Sequence, residues 1–386
     1  GRSVENVESI RPPNPGKDLR SSIDLRVQYL AYRALKAAIQ KHRADSGSIV
    51  VLDVDTGEVL AVVNQPTYNP NDRAQYSAER YRNRAITDIF EPGSTIKPLV
   101  IAAALESGQY EPASMIDTSP GYLVVGPKRI EDRRNLGRVS LTTVLSRSSN
   151  VGATMVAMSL EPDLLWRTMT KFGLGSLTAS GFPGESAGLL THYSHWQEIS
   201  QATLAYGYGL SVTPLQLAHA YSALGNDGYM RPISLVAIEN PMEDPEQLKE
   251  GTQVIGIDTA VAVREMLEEV VRPGGTGTKA GVTGYRIAGK TGTAWKFAAG
   301  GYSEDKYLSI FAGLAPASDP RLAAVVIIDE PHGDLYYGSD VAAPVFAEVM
   351  SESLRLLAVP PDALPARDPG SVMQAMSQKS QVTKSE

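Results

Sequence analysis

Segments with helical periodicity and short β-branched runs follow one another along the chain. Residues 23–41 are predicted to form an opening helix, because apolar residues recur there at helical spacing: Leu25, Tyr29, Leu30 and Leu35. Residues 48–54 and 58–63 are β-branched runs, and Asp55-Thr56-Gly57 between them is a turn signal. These two runs are predicted to form a first β-hairpin.

The second half of the chain predicts three further strands and a closing amphipathic helix. The strands are expected at 286–295, 307–314 and 322–329, and the helix at 341–357. Most of the chain from Ser94 to about Val271 has a helical pattern, as in 258–271. The pattern therefore predicts an α/β fold of the α+β class: a five-stranded antiparallel sheet flanked by helices, with an inserted helical lobe.

The composition excludes several classes of function. The 386 residues are 42% hydrophobic, enough for one elaborated catalytic domain, and the formal net charge of −7 with no basic cluster argues against nucleic acid as a partner. The absence of cysteine excludes disulfides, thiolate catalysis and cysteine-ligated zinc. The longest apolar run, 322–328, is far shorter than the roughly 20 residues that span a bilayer, and it is typical of a buried strand.

A hydroxyl and an amine lie three positions apart where a helix should begin. Pro92 and Gly93 break the preceding structure, and the apolar segment after Lys97 predicts a buried helix. One helical turn brings Ser94 and Lys97 to the same face, where a neutral lysine could activate the serine as a nucleophile.

One such serine–lysine pair is expected about once by chance in a chain of this length. Ser303 and Lys306 are a second pair at the same spacing, but they follow two glycines between strand-like runs, where a hairpin loop is predicted. Two later motifs distinguish Ser94. They are Ser148-Ser149-Asn150 and Lys290-Thr291-Gly292-Thr293.

These three motifs, in this order, resemble the penicillin-binding proteins and serine β-lactamases. Ser148 lies 54 residues after Ser94, and Lys290 lies 140 residues after Asn150, which is similar to the class B monofunctional transpeptidases. The stretches 90–94 and 205–209 resemble the division-associated penicillin-binding protein 3 family. The resemblance extends from about residue 16 to 360 and implies the transpeptidase fold of that family.

The resemblance implies acyl transfer through a covalent intermediate. Ser94 would attack the carbonyl between two terminal D-alanines of a peptidoglycan stem peptide, and Lys97 would take its proton. Ser148 would relay a proton between Lys97, Lys290 and the leaving amine, and Asn150 would hold the substrate backbone. Taken alone, the serine and asparagine of this motif would be a helix cap and a solvated side chain.

The third motif is expected on a strand at the cleft edge. Alternation sends Lys290 and Gly292 to one face and Thr291 and Thr293 to the other. In the family, the backbone of this strand pairs with the substrate, its hydroxyls meet the substrate carboxylate, and Gly292 permits close approach. The oxyanion hole is assigned to the backbone N–H groups of Ser94 and Thr293.

Other residues are weaker candidates. Aromatic residues match positions near the family's cleft, and of these Tyr208, Tyr307 and Tyr337 are assigned to substrate binding, beside Tyr206 and Tyr336. Trp295 departs from close relatives, which often carry a basic or small residue there. Glu91 could orient the cleft or interact with a helix dipole, and these alternatives stay open. A cleft with two lysines predicts a lowered pKa for Lys97.

No metal and no cofactor are expected. His192 and His195 lack a third ligand at a supporting spacing. The glycine-rich segment 274–279 imitates a phosphate loop, but it follows a helical run and Pro273 rather than a strand, so it is interpreted as a flexible loop near the cleft.

The resemblance also implies a membrane setting, because this family carries an amino-terminal anchor and a pedestal domain. Residues 1–20 are interpreted as the last part of the pedestal and its linker, 21–360 as the transpeptidase domain, and 361–386 as a disordered tail. The expected location is the periplasmic face of the inner membrane, with the anchor absent from this chain. The expected partners are stem peptides ending in D-alanyl-D-alanine, β-lactams bound covalently at Ser94, and division-machinery membrane proteins through the missing region.

Three functions share acylation of Ser94. A D,D-transpeptidase, the preferred hypothesis, passes the acyl group to an amine. A carboxypeptidase or β-lactamase passes it to water, although no deacylating glutamate is identified by motif. A β-lactam sensor retains the acyl group and does not process stem peptides.

Overall fold

The computed structural model describes residues 14–72, 74, 77–238, 251–298 and 301–363. Its α-helices are α1 (Leu25–His42), α2 (Arg84–Thr87), α3 (Lys97–Glu106), α4 (Leu141–Ser146), α5 (Asn150–Ser159), α6 (Pro162–Lys171), α7 (Glu198–Leu204), α8 (Pro214–Gly225), α9 (Ile257–Val271) and α10 (Ala342–Leu356). Its strands are β1 (Ser46–Asp53), β2 (Val59–Gln65), β3 (Met115–Asp117), β4 (Tyr122–Val125), β5 (Lys128–Glu131), β6 (Arg138–Ser140), β7 (Tyr229–Met230), β8 (Thr252–Gln253), β9 (Ala288–Ala298), β10 (Gly301–Ala315) and β11 (Leu322–Asp329). Short 3₁₀ turns lie at Gly93–Ile96, Tyr193–His195 and Thr278–Ala280.

The main sheet has five antiparallel strands in the order β2-β1-β11-β10-β9. The predicted sheet and terminal helices are therefore confirmed. All eight residues of β1 are buried, because helices cover both faces of the sheet. This explains why the sequence of β1 is a continuous apolar run in its second half rather than an alternation. Strand β9 lies at one edge of the sheet and β2 at the other.

Two apolar layers hold the domain together on opposite faces of the sheet. Alternate residues of β1 belong to different layers, with Val50 and Leu52 in one and Ile49 and Val51 in the other. The first layer includes α3, α5, α8 and α9, and the second includes α1 and α10. A side chain on β9 therefore faces either the helical lobe or the terminal helices.

Helix α1 confirms the predicted opening helix but only part of the apolar face that suggested it. Its first turn is capped by the Asp24 carboxylate, which accepts a hydrogen bond from the backbone of Arg26. Leu25 is 78% exposed and Tyr29 is 59% exposed. Of the predicted apolar positions, Leu35 is fully buried, and the rest of the buried stripe is made by smaller residues, namely Val27, Ala31, Ala34 and Ala38. Alanines on this face let the helix lie close to the sheet.

The inserted lobe is mostly helical, as predicted, but it also contains small sheets that the pattern did not reveal. Strand β3 pairs with β6, β4 pairs with β5, and β7 pairs with β8. Each of these strands has two to four residues. Such short strands hold too few alternations to be distinguished from loops.

The hairpin loop predicted around Ser303 and Lys306 is wrong, because both residues belong to β10. Pairing with β9 continues to Tyr302 opposite Phe297, after a register shift. Polar residues beside a bulge conceal a strand from pattern analysis. The Lys306 amine binds the Glu330 carboxylate at 2.9 Å and takes no part in a serine–lysine pair.

The predicted pedestal remnant, 1–20, and the predicted tail, 361–386, lie largely outside the described residues. The domain boundaries therefore stay predictions. Among the helices that the structure describes, none has the length and apolar character needed to cross a membrane.

Candidate active site

Ser94 lies in a tight turn immediately before α3. The turn is a 3₁₀ helix over Gly93–Ile96, and α3 begins at Lys97. Gly93 has a φ of +53°, and its N–H donates to the carbonyl of Gly207 at 3.2 Å. A Cβ on Gly207 would lie 2.0 Å from the Gly93 oxygen. Close contact between two glycines thus fixes the turn that presents Ser94.

The amine of Lys97 is buried at the start of the second motif. Its Nζ lies 2.7 Å from the Ser148 carbonyl oxygen, 3.3 Å from Ser148 Oγ and 2.7 Å from Asn150 Oδ1. Burial lowers the pKa of Lys97 from 10.5 to about 7, and the nearby charge of Asp132 acts in the opposite direction. No hydrogen bond joins this amine to Ser94 among the described residues. The structure therefore brings Lys97 to Ser148 and Asn150.

A second buried amine reaches the same hydroxyl from β9. Lys290 Nζ lies 2.9 Å from Ser148 Oγ and 3.0 Å from the carbonyl oxygen of Thr291. Burial holds the pKa of Lys290 well below its usual range, and the charge of Lys97 lowers it further. Ser148 Oγ thus lies between two amines with lowered pKa values, where it can pass a proton from one to the other.

The backbone of Ser148 has a conformation that non-glycine residues rarely adopt, with φ at +58°. Strained backbone of this kind persists only where the surroundings hold it in place. Here the N–H groups of Ser148 and Ser149 donate to carbonyls of α4, and Ser149 caps α5 through Gly152. The turn directs the side chain of Ser148 towards both lysines.

Asp132, which was not predicted from the sequence, holds this turn from the other side. Its carboxylate accepts hydrogen bonds from Ser149 Oγ at 2.5 Å and from the N–H groups of Asn150 at 2.5 Å and Val151 at 3.1 Å. An acid at a helix N-terminus satisfies unpaired N–H groups and the helix dipole. No sequence signal could identify it, because Asp132 lies outside α5 and reaches it only through the fold.

Strand β9 forms one wall of the site. Thr291 Oγ1 is hydrogen-bonded to Thr276 Oγ1 at 3.1 Å, and Thr293 Oγ1 accepts from the N–H of Gly338 at 3.0 Å. A Cβ on Gly292 would lie 2.9 Å from Thr95 Cγ2. The absence of a side chain at Gly292 therefore leaves room for the turn beside Ser94, and the predicted close approach of substrate stays a prediction.

These elements enclose a cavity of about 760 Å³. Most of the predicted site residues line it: Ser94, Ser148, Asn150, Thr291, Thr293, Tyr208, Tyr307 and Tyr337. Lys97 and Lys290 are buried below its floor, and Gly292 is not part of the lining. Tyr206, Tyr336 and Trp295 also line it, as do residues of the glycine-rich segment after α9. That segment lies near the cleft, as expected, and follows a helix rather than a strand.

Glu91 connects the loop at Gly209 with the start of β10, beside the nucleophile turn. Its Oε1 accepts hydrogen bonds from the N–H of Gly209 at 2.8 Å and from Tyr302 Oη at 2.9 Å. Burial raises the pKa of Glu91. Of the two roles left open for Glu91, these contacts favour orientation of the cleft, because both partners come from segments distant in the sequence.

One cluster of acidic and histidine side chains bears on the expectation that no metal binds. Within the described residues, one trio has ligand atoms that converge within 4.8 Å, and it consists of Asp45, Glu330 and His332. The Glu330 carboxylate already binds the amines of Lys296 at 2.6 Å and Lys306 at 2.9 Å. Two ammonium groups on one carboxylate oppose binding of a cation, and we assign this trio no metal.

Comparison with known proteins finds similar sequences over most of the chain. Residues 47–351 match the family model described as the penicillin binding protein transpeptidase domain. The peptidoglycan D,D-transpeptidase FtsI of Escherichia coli K12 is 43% identical over 368 residues, which are 95% of this chain and 61% of that protein. The probable peptidoglycan D,D-transpeptidase PenA of Neisseria flavescens is 42% identical over 363 residues, which are 94% of this chain and 88% of that protein.

A solved structure shows the same architecture. The transpeptidase domain of penicillin-binding protein 3 from Burkholderia pseudomallei, without ligand, matches with a TM-score of 0.82 and 40% identity. The match covers 91% of this chain and all of that one. This chain thus spans a complete solved transpeptidase domain, but only 61% of the length of the E. coli relative.

Proposed function

This chain belongs to the penicillin-binding protein transpeptidase family, and from that membership we propose that it is the catalytic domain of a peptidoglycan D,D-transpeptidase, a serine acyltransferase. The donor would be a stem peptide ending in D-alanyl-D-alanine. The observation that carries the proposal is the position of Ser148 Oγ between the amines of Lys97 and Lys290, at the floor of the cavity that Ser94 lines.

In the first half-reaction, Ser94 Oγ attacks the carbonyl between the two D-alanines. Neutral Lys97 takes the hydroxyl proton, because its lowered pKa leaves much of it unprotonated near neutral pH. The proton passes through Ser148 Oγ to the leaving amine, with Lys290 as the second donor to that hydroxyl. The C–N bond breaks, D-alanine departs with its carboxylate, and the acyl group stays on Ser94 as an ester.

In the second half-reaction, an amine of a neighbouring stem peptide attacks the ester. It loses a proton along the same route in reverse, and Ser94 regains its hydroxyl. We assign the backbone N–H groups of Ser94 and Thr293 to the oxyanion in both steps. Asn150, Thr291, Gly292 and the cleft tyrosines are proposed to hold the donor, Gly292 through its backbone alone.

The test is covalent labelling with benzylpenicillin, followed by intact mass measurement and mapping of the adduct. We expect one acyl group on Ser94, slow loss of that group, and no adduct in Ser94→Ala. An adduct on another residue, or none, would refute the proposed nucleophile. Rapid turnover would indicate a β-lactamase instead.

A donor stem peptide mixed with an acceptor amine separates the remaining hypotheses. A new amide between the two indicates a transpeptidase, release of D-alanine without that amide indicates a carboxypeptidase, and neither product indicates a β-lactam sensor. We also propose covalent inhibition by β-lactams, a location at the periplasmic face of the inner membrane, and a role with division-machinery membrane proteins. These proposals extend the family resemblance to the whole protein.

A further inference from the structure

A second cavity lies on the lobe-facing side of the main sheet, apart from the catalytic cavity. It is found where β1, β9, β10 and β11 meet the segment 82–90 and the start of α8. Its volume of about 440 Å³ falls within the range of about 300–1,000 Å³ that is typical of small-molecule sites. Among the described residues, none lines both cavities. The second cavity is therefore a separate place where a ligand could bind.

Part of the wall of this second cavity is apolar. Leu308 and Ile327 line it from the apolar layer between the sheet and the helical lobe, and Pro214 lines it from the start of α8. Ile89 lines it as well, although this side chain is 51% exposed. A large apolar side chain that borders a cavity and stays open to solvent is available to contact the apolar part of a ligand.

Two arginines that line this cavity share one carboxylate. Arg82 Nε donates to Asp88 Oδ1 at 2.5 Å, and Arg84 Nη1 donates to Asp88 Oδ2 at 3.2 Å. Arg84 Nη2 also lies 3.4 Å from the Glu79 carboxylate, but the Glu79 side chain is 74% exposed, and solvent screening leaves such an ion pair weak. The two guanidinium groups therefore keep a positive charge that the single carboxylate of Asp88 does not balance.

Arg84 also has a hydrogen-bond donor to spare. Its Nε is buried and makes no hydrogen bond among the described residues. A buried donor without an acceptor is unfavourable, so a group that accepts a hydrogen bond from it stabilises the site. Arg84 lines the cavity, and a change of its side-chain rotamer would bring this edge of the guanidinium to a ligand there. The most suitable acceptor is an anion.

The charged groups on the sheet side of the cavity balance one another. Lys296 Nζ lies 2.8 Å from the Asp329 carboxylate and 2.6 Å from that of Glu330. Lys306 Nζ lies 2.9 Å from the other oxygen of Glu330. Two amines thus face two carboxylates, and neither sign of charge is in excess there. The excess positive charge of the cavity therefore lies at the two arginines of the segment 82–90.

We propose that the second cavity binds a small organic carboxylate with an apolar body. Arg82 and Arg84 hold the carboxylate group, because guanidinium groups bind carboxylates through charge-assisted, paired hydrogen bonds. The apolar body lies against Ile89, Leu308 and Ile327. This site goes beyond the proposed function, because it uses no part of the catalytic cavity.

Two ligands of the same shape, 4-fluorobenzoate and 4-fluorobenzamide, test the site by fluorine NMR in the whole chain. The chain is first treated with benzylpenicillin, so that the catalytic cavity is occupied. We expect one saturable site for 4-fluorobenzoate with a Kd of about 1 mM, an ordinary value for a ligand of about ten non-hydrogen atoms. The neutral 4-fluorobenzamide should bind about tenfold more weakly or less, because it carries no charge for the arginines.

Four variants make the result specific to this cavity. Arg84→Gln should weaken binding of 4-fluorobenzoate by about tenfold or more, and Arg82→Gln by about 3- to 10-fold, because each removes a charged donor. Ile89→Ser should weaken both ligands by about threefold, since it removes apolar contact. Arg33→Gln, a matched change on α1 at the opposite face of the sheet, should leave both affinities unchanged. Thermal unfolding shows which variants fold, and the 53% exposed Arg82 decides the test if Arg84→Gln does not fold.

The outcomes of this experiment are independent of the proposed function. Equal affinity for the two ligands would overturn the site, and so would unchanged binding of 4-fluorobenzoate in Arg82→Gln. Absence of saturable binding up to about 20 mM would overturn it as well. If benzylpenicillin does not acylate the chain, the proposed function fails, and the same titration of the untreated chain and its variants still decides this site.

Discussion

Acylation of Ser94 should follow the deprotonation of Lys97. The Lys97 side chain is buried, and its pKa falls from 10.5 to about 7. At pH 7 about half of such amines are neutral, whereas about one in 3,000 would be neutral at the ordinary lysine pKa. Only the neutral amine accepts a proton, so the rate constant should rise about tenfold per pH unit below pH 7 and level off above it.

The assay is the second-order rate constant for benzylpenicillin, followed by intact mass on quenched samples between pH 5 and 9. Lys97→Arg should show no acylation at any of these pH values, because a guanidinium stays charged. Asp132→Asn removes the negative charge that favours the ammonium form. Its rising limb should therefore move to lower pH, while the amide oxygen still accepts a hydrogen bond at the start of α5.

Three results would contradict this reasoning. A rate constant that does not change between pH 5 and 8 would show that no base titrates in the acylation step. A rate constant that still rises about tenfold per pH unit up to pH 9 would show that Lys97 keeps its ordinary pKa or is not the base. A shift of the limb to higher pH in Asp132→Asn would contradict the assigned electrostatic effect.

The remaining predictions concern folding free energy. Lys97→Met should abolish acylation yet stabilise the chain, because a buried ammonium whose pKa falls from 10.5 to about 7 costs about 5 kcal/mol of folding free energy below pH 7. This cost is an upper limit, and it fades as the pH approaches 10.5. Urea unfolding at pH 6 and pH 10 measures the gain in folding free energy. Gly207→Ala should destabilise the fold by about 3 kcal/mol or more and slow acylation, because φ is +88° there and the added Cβ would clash with the Gly93 oxygen. The matched control Gly108→Ala, with φ at +71° and open space around the added Cβ, should cost about 1 kcal/mol. Tyr221→Phe should cost about 1 to 2 kcal/mol in urea unfolding, because the buried Tyr221 Oη donates to the Thr95 carbonyl at 2.8 Å, and an unchanged midpoint would contradict this.

Long, strongly patterned elements could be predicted from the sequence. The strands of the main sheet are long runs of apolar and β-branched residues, and the two terminal helices have enough residues for a helical period to emerge. The short strands β3 to β8 do not, and the polar start of β10 conceals its pairing beside a bulge. Apart from Leu35, the buried face of α1 was missed, because it consists mostly of alanines, whereas Leu25 and Tyr29 point outward. Small residues carry little hydrophobic signal, although they allow the closest packing.

The residues of the site also fall into those that the sequence could predict and those that it could not. Residue types and motif order predict Ser94, Lys97, Ser148 and Lys290, because the chemistry needs those functional groups. Asp132 could not be predicted, since its contribution depends on where a loop of the fold places its carboxylate. The sequence can state which groups the reaction needs, but the surrounding fold decides how buried they are.

Burial of the two lysines explains why the three motifs come from three different elements. Ser94 and Lys97 begin the α3 segment, Ser148 precedes α5, and Lys290 belongs to β9. An amine on the surface would keep its ordinary pKa, so a neutral base requires walls on several sides. The sheet and the helical lobe provide those walls only where they meet. The same walls leave each amine with hydrogen-bond acceptors, chiefly at Ser148 and Asn150, which offsets part of the desolvation cost. Reactivity at Ser94 therefore depends on the junction between the sheet and the helical lobe. The second serine–lysine pair, Ser303 and Lys306, lies on the single strand β10 and has no such surroundings.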